Sequence, residues 1–287
     1  MRWTLLPALG LLGFLGTALA AQSATLRPPA VPLILHDPGF SIWMMGDTLT
    51  SGPTRHWTGV PQPLNGLIRI DGTTYRWLGN DRGVPALPQQ SLTVTPTRTI
   101  AGLANAAIEL QVTFLNPALP RDLATLARPV TYLSWSARSL DGNPHAVTLY
   151  LDASGALAVN DNSQPVVWGR DQVPGLDLLR IGTRDQRVLE RFGDNVRMDW
   201  GWFYLGLPRT QPHESVAGNQ TCRAAFAATG HLPQGDDLAQ PRAPAQHYPP
   251  APLLCVVLPL GTVAEAPVSR HVLLAYDEIY PIEYMQR

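Results

Sequence analysis

The chain has 287 residues, 45% hydrophobic and 15% charged, with a formal net charge of -1. That much core material excludes disorder, and the near-neutral charge excludes electrostatic nucleic-acid binding. All 21 basic residues are arginine, which rules out a Schiff-base lysine, a PLP-binding lysine and a Walker A lysine.

At the N-terminus, Arg2, an apolar run from Leu5 to Leu19 and the small residues of Ala18-Leu19-Ala20 read as a signal peptide over residues 1–21. Cleavage is expected near Ala20 or Ala21, giving a secreted or periplasmic chain with no membrane segment after cleavage. Residues 22–80 form a motif segment and a first hairpin. Within it, FSIWMMGDTLTSGPTRHWTG at 40–59 has little strand pattern but carries Trp43, Asp47, Arg55, His56 and Trp57. These five are the candidate ligand-binding or domain-interface residues, with Arg55 expected to pair with Asp47. Exposed tryptophans can serve as flat platforms for sugar rings.

The hairpin is GLIRIDGTTYRWLG at 66–79: Ile68 and Ile70 precede Asp71-Gly72, a pair suited to a tight turn, and Tyr75 and Trp77 follow. Residues 81–287 read as a β-sandwich domain continuous with that segment. SLTVTPTRTI at 91–100 is a strand punctuated by Pro96, hence an edge or bent strand. In AIELQVTFL, Ile108, Leu110, Val112 and Phe114 share one face. Residues 128–153 read as an antiparallel pair of long strands turning at Asp141-Gly142, with Trp135 in the core. Further strands are predicted at 165–169, 176–182, 196–205, 253–260 and 268–276, with one short helix near 221–228. The Pro- and Ala-rich stretch 233–252 reads as a surface loop. With 28 Pro and 24 Gly, the fold class is all-β: a large antiparallel β-sandwich, or super-sandwich, with very little helix.

Motif chemistry is sparse. There is no GxSxG, HExxH, CxxC or phosphate loop, so no cofactor or metal is expected. His36 and Asp37 are adjacent, as are His213 and Glu214, and neighbours on a strand point to opposite faces. The carboxylates Asp47, Asp152, Asp161, Asp199, Asp277 and Glu278 would need the fold to bring them together. VNDNS at 159–163 is either a polar turn or a set of oxygen ligands for Ca²⁺. Cys222 and Cys255 either form one disulfide or are separately buried thiols.

Long motifs then agree in order with a known family. RPPAVPLILHDPGFSIWMMGDTLTSGPTRHWTGVPQPLNGLIRIDGTTYRWLG at 27–79, LTVTPTRTI, VTFLNPALPRDLATLARPVTYLSWSARSLDG and LLAYDEIYPIEY resemble the glutaminase A-like secreted proteins of fungi and bacteria. The resemblance runs from about residue 27 to the end. It implies a β-sandwich region followed, in longer members, by an α-helical domain of the six-hairpin glycosidase type. The activity it implies is hydrolysis of the glutamine side-chain amide. It also implies that this chain stops before the helical half, as a truncated gene product or split reading frame would. The partner so implied is that domain or a downstream chain, and no catalytic residue of the family maps onto a position here. A carbohydrate-binding accessory sandwich with a small-molecule or glycan ligand is the alternative. A complete small hydrolase built on Asp47, Arg55 and His56 is a third reading.

Overall fold

The computed structural model describes residues 28–219, 221–244 and 251–280. The expected signal peptide and the last seven residues lie outside them. Three short strands come first: β1 (Val31–Asp37), β2 (Phe40–Met44) and β3 (Arg55–His56). Next are β4 (Leu64–Ile70), β5 (Thr73–Leu78), β6 (Gln89–Thr95), β7 (Arg98–Ala104), β8 (Ile108–Leu115) and β9 (Val130–Ser139). A single helical turn, α1 (Leu123–Leu126), precedes β9. Then follow β10 (His145–Ser154), β11 (Val166–Val173), β12 (Leu176–Thr183), β13 (Trp202–Pro208) and β14 (Glu214–Ala217). Helix α2 (Cys222–Thr229), β15 (Leu253–Val263) and β16 (Val268–Asp277) complete the order.

The strands build an antiparallel sandwich. One sheet has the order β14-β15-β10-β4-β5 and the other β11-β12-β13-β16-β9-β8-β7-β6, with β1-β2-β3 as a small third sheet. The inner faces meet where Trp77 of β5 stands edge-on to Trp135 of β9, with ring centroids 5.5 Å apart. Both indoles are buried, as the alternation of their strands requires. The small sheet lies over β7, β8 and β9, joined to them by the Thr99 hydroxyl donating to the Pro32 carbonyl.

The central strands β10 and β15 of the five-stranded sheet are buried on both faces over much of their length. Leu149 and Leu151 of β10 and Leu254, Val256 and Leu258 of β15 face the main core. Their neighbours Tyr150, Leu253, Cys255 and Val257 point outward into a second core with Phe226 of α2. Phe226 stacks on Tyr150 at 5.1 Å. Beneath α2, the fully buried carboxylate of Asp152 accepts from Arg223 Nε and Nη2, each at 2.9 Å.

Several expectations hold. The Asp71-Gly72 hairpin turns with φ of 48° and 85°, the left-handed values that select this dipeptide. β12, β15, β16 and α2 fall within a few residues of their predicted spans.

Others are corrected. Residues 128–153 do supply two long strands, but β9 and β10 do not pair: β9 lies between β16 and β8, and β10 between β15 and β4. The Asp141-Gly142 turn therefore carries the chain from one sheet to the other. It is clipped there by His145, whose ring bridges Asp141 Oδ1 at 3.0 Å and Asp71 Oδ2 at 2.5 Å. Both strands alternate like hairpin partners because each buries one face in the same core. The stretch around Pro96 is a hairpin rather than one bent strand: Pro96 sits in the turn and β6 is the sheet edge. The strand expected at 196–205 starts only at Trp202. Residues 40–59 contain β2 and β3, whose pattern escapes notice because β2 is buried on both sides apart from Trp43. The 233–252 stretch is not wholly superficial. Arg242 is buried and exchanges backbone hydrogen bonds with Val166.

Candidate functional site

Three segments converge at one end of the sandwich: the β1–β2 turn at Asp37-Pro38-Gly39, the approach to β9 at Arg128–Val130 and the exit from β16 at Asp277–Ile279. They enclose a cleft of about 410 Å³. Leu35, Leu126 and Ile279 give it an apolar rim, and His36, Asp37, Asn116, Tyr276 and Glu278 supply its polar and aromatic lining.

The turn is built from Asp37 outward. One carboxylate oxygen, Oδ1, accepts the backbone N–H of Gly39 at 2.6 Å and of Phe40 at 3.1 Å. This is the side-chain-to-backbone closure for which aspartate is suited. Glu278 comes from the far end of the chain and lines the same cleft as Asp37, close enough for the two carboxyl groups to interact. Two neighbouring carboxyl groups disfavour each other's ionisation, which favours a proton on one of them. Burial, then the hydrogen bond to Asp37, then the charges of Asp37 and Asp277 push the Glu278 pKa up to about 7.

His36 is held neutral. Burial pulls its pKa down to about 4, against the opposing charge of Asp37. The Thr131 hydroxyl donates to Asn116 Oδ1 at 2.6 Å, so it accepts from His36 Nε2 at 3.1 Å. The proton is thereby fixed on Nε2 and the lone pair on Nδ1. The ring stacks on Phe40 at 5.4 Å, and Phe40 leans on Tyr276 at 4.7 Å. Tyr276 donates its hydroxyl to the Trp200 carbonyl at 2.9 Å. The cleft floor is therefore a packed, hydrogen-bonded layer.

None of the five residues singled out at 40–59 lines this cleft, yet two reach its turn. His56 Nε2 and Trp57 Nε1 both donate to the Pro38 carbonyl, at 3.0 and 2.7 Å. His56 is buried, and its Nδ1 lies 2.9 Å from the Thr58 hydroxyl. Burial lowers its pKa. It is a neutral clip with both nitrogens engaged, not a free base. Trp57 is 47% exposed and stands beside the turn it pins. Trp43 is half-buried opposite Arg55 and donates to the Ser41 hydroxyl at 2.8 Å. Arg55 donates to the Gly59 carbonyl at 2.6 Å, and Asp47 lies exposed in the loop between β2 and β3.

Of the other carboxylates, Asp152 serves Arg223. Asp199 is fully buried and accepts from Arg191 and Gln164 at 2.9 and 2.8 Å. The 159–163 segment is a polar turn: Asp161 Oδ1 accepts from Ser163 N, and the Asn160 carbonyl accepts from the Arg197 guanidinium. Asp37 was legible only as the neighbour of His36, because its partner is remote in sequence.

Glu278 makes stability depend on pH. Its folded pKa lies above its ordinary 4.5, so the folded chain holds a proton that the unfolded chain has released. Stability therefore falls as pH rises from about 4.5 to about 7. The side chain is part-exposed, so solvent screening reduces the effect to about 1 kcal/mol. Urea midpoints at about pH 5 and about pH 8 should show this loss in the parent and its absence in Glu278→Gln. An equal loss in both would refute the assignment.

The family model described as "Domain of unknown function (DUF5127)" matches residues 97–287. The chain belongs to the DUF5127 family. A second model, "Domain of unknown function (DUF4964)", matches residues 16–86. The carboxyl pair joins the two regions, with Asp37 in the DUF4964 match and Glu278 in the DUF5127 match. Among curated relatives of this DUF5127 chain, "Glutaminase A" of Aspergillus oryzae (strain ATCC 42149 / RIB 40) is 28% identical over 229 residues. That alignment covers 76% of the present chain and 33% of the relative. "Probable glutaminase/05536" of Arthroderma benhamiae (strain ATCC MYA-4681 / CBS 112371) is 25% identical over 243 residues, covering 76% of this chain and 27% of the relative. The relationship to glutaminase A-like proteins is thus supported, while the matched region spans a third or less of these relatives.

Proposed function

We propose that this chain is the non-catalytic N-terminal β-sandwich region of a secreted glutaminase A-like hydrolase, inactive alone. The activity of the whole protein would be hydrolysis of the glutamine side-chain amide to glutamate and ammonia. The observation that carries this reading is the extent of the match: about three quarters of this chain aligns with only a third of glutaminase A. The cleft supports it. Its exposed rim residues Leu126 and Ile279, with Tyr280 beyond them, give an apolar surface where the chain leaves the sandwich. We assign that surface to the helical domain, with the Asp37–Glu278 pair facing the junction.

The test is ammonia release from L-glutamine by the purified chain. The expected result is a rate at background. Turnover that disappears in Glu278→Gln would overturn the non-catalytic reading. The half-exposed Trp57 favours one other function, an accessory glycan-binding sandwich. Retardation on a polysaccharide affinity gel that Trp57→Ala removes would replace the first reading with this one.

A further inference from the structure

Away from the cleft, the second core holds both cysteines of the chain. Cys222 is the first residue of α2, and Cys255 lies on β15 with its side chain turned toward that helix. Both are buried. Cys255 Sγ lies 3.6 Å from the Asn219 carbonyl, which places it beneath the segment that leads into α2. The Tyr150 hydroxyl approaches the same sulfur from the other side at 3.6 Å. In the structure both cysteines are free thiols, and both belong to the same buried cluster as Tyr150, Phe226 and Val257. Two thiols in one buried cluster, with burial pushing the Cys255 thiol pKa up, fit a structural cross-link better than a reactive site.

We propose that Cys222 and Cys255 form a disulfide that ties α2 to β15. The bond would close a loop containing the Pro-rich 233–252 segment, limiting the freedom of the unfolded chain across that loop. The proposal rests on export to an oxidising compartment, as in the secreted reading above.

The oxidant is a disulfide, either that of a thiol–disulfide oxidoreductase or oxidised glutathione. One cysteine thiolate attacks it, giving a mixed disulfide and releasing one thiol of the oxidant. The second cysteine thiolate then attacks the mixed disulfide at the chain's own sulfur. The Cys222–Cys255 bond forms and the second thiol of the oxidant leaves. Two protons and two electrons pass from the cysteine pair to the oxidant, which ends fully reduced. Because both sulfurs are buried in the folded chain, the exchange belongs to folding, before α2 covers β15. Once formed, the bond is shielded from thiol reductants.

The full chain is refolded in a glutathione redox buffer, and separately exported with its own leader in a bacterial host. Both samples are treated with a maleimide in denaturant, with and without prior reduction. The expected result is no labelled thiol before reduction and two after, with peptide mapping joining Cys222 to Cys255. Without denaturant, the folded protein should resist dithiothreitol, and reduction under denaturing conditions should lower its melting temperature on refolding. Cys222→Ala/Cys255→Ala should melt with the reduced parent, which separates the cross-link from packing. Two free thiols after oxidative refolding would overturn the pairing itself. A disulfide in the refolded sample with free thiols in the exported one would overturn the proposal through compartment and leave the sandwich reading standing.

Discussion

Arg223→Met is expected to destabilise the chain by about 3–5 kcal/mol, the cost of leaving a buried charge without its partner. Asp152 has no solvent exposure, while the Arg223 side chain is 26% exposed. The carboxylate is thus the group stranded by the change. Its remaining donors are the Tyr150 hydroxyl at 2.9 Å and Asn65 Nδ2 at 3.1 Å, neither of them charged. Methionine keeps most of the apolar stem of arginine, so the measurement reports charge rather than volume. Asp152→Asn in the same background should recover part of the loss, because a neutral amide costs less to bury than an unpaired carboxylate. Urea unfolding of the four proteins of this cycle gives the coupling directly. A single-variant loss below about 1 kcal/mol would place this pair with weak surface salt bridges.

Trp77→Ala should cost about as much, 3–5 kcal/mol on the scale of large-to-small core substitutions. The indole is fully buried, donates Nε1 to the Leu67 carbonyl at 3.1 Å and meets Trp135 edge-on. It also lies flat across Gly66, where an added Cβ would come within 2.1 Å of the ring. Gly66→Ala alone should therefore destabilise by overpacking, about 1–3 kcal/mol. In the Trp77→Ala background the same alanine meets a void, and its penalty should shrink or reverse. Thermal melts of both single variants and the double variant test this. Strict additivity would mean that the ring is not what excludes a side chain at Gly66.

The parts of the fold most legible in sequence were those where one face is wet. β8 alternates cleanly because Ile108, Leu110, Val112 and Phe114 point inward while Gln111 is exposed. The β4–β5 turn could be read from Asp71-Gly72 because that backbone admits few residue pairs. Strand partnership was not legible. β9 and β10 each alternate, are adjacent in sequence and turn at an Asp-Gly, yet they lie on opposite sides of the core. Burial period records which face is covered, not which neighbour covers it. β2 was hidden because burial on both faces gives an apolar run without a period of two.

The cleft was illegible for a related reason. Asp37 and Glu278 had only ordinary local surroundings in the sequence, and Glu278 was one carboxylate among six. What distinguishes them is contact between opposite ends of the chain. The density of aromatic and charged residues at 40–59 drew attention instead. His56 and Trp57 do matter there, as the two donors that fix the Pro38 carbonyl next to Asp37.

The place of β16 has a consequence for how the chain folds. It lies between β13 and β9, and the two halves of the eight-stranded sheet, from residues 166–208 and 89–139, meet only through it. During synthesis at about 5–20 residues per second, each half can assemble on its own, but both keep an open edge until β16 emerges. Pairings this distant in sequence are slow to form. A nascent chain halted before Val268 would carry two adhesive strand edges, at β9 and β13. β16 thus acts as a keystone that suppresses self-association.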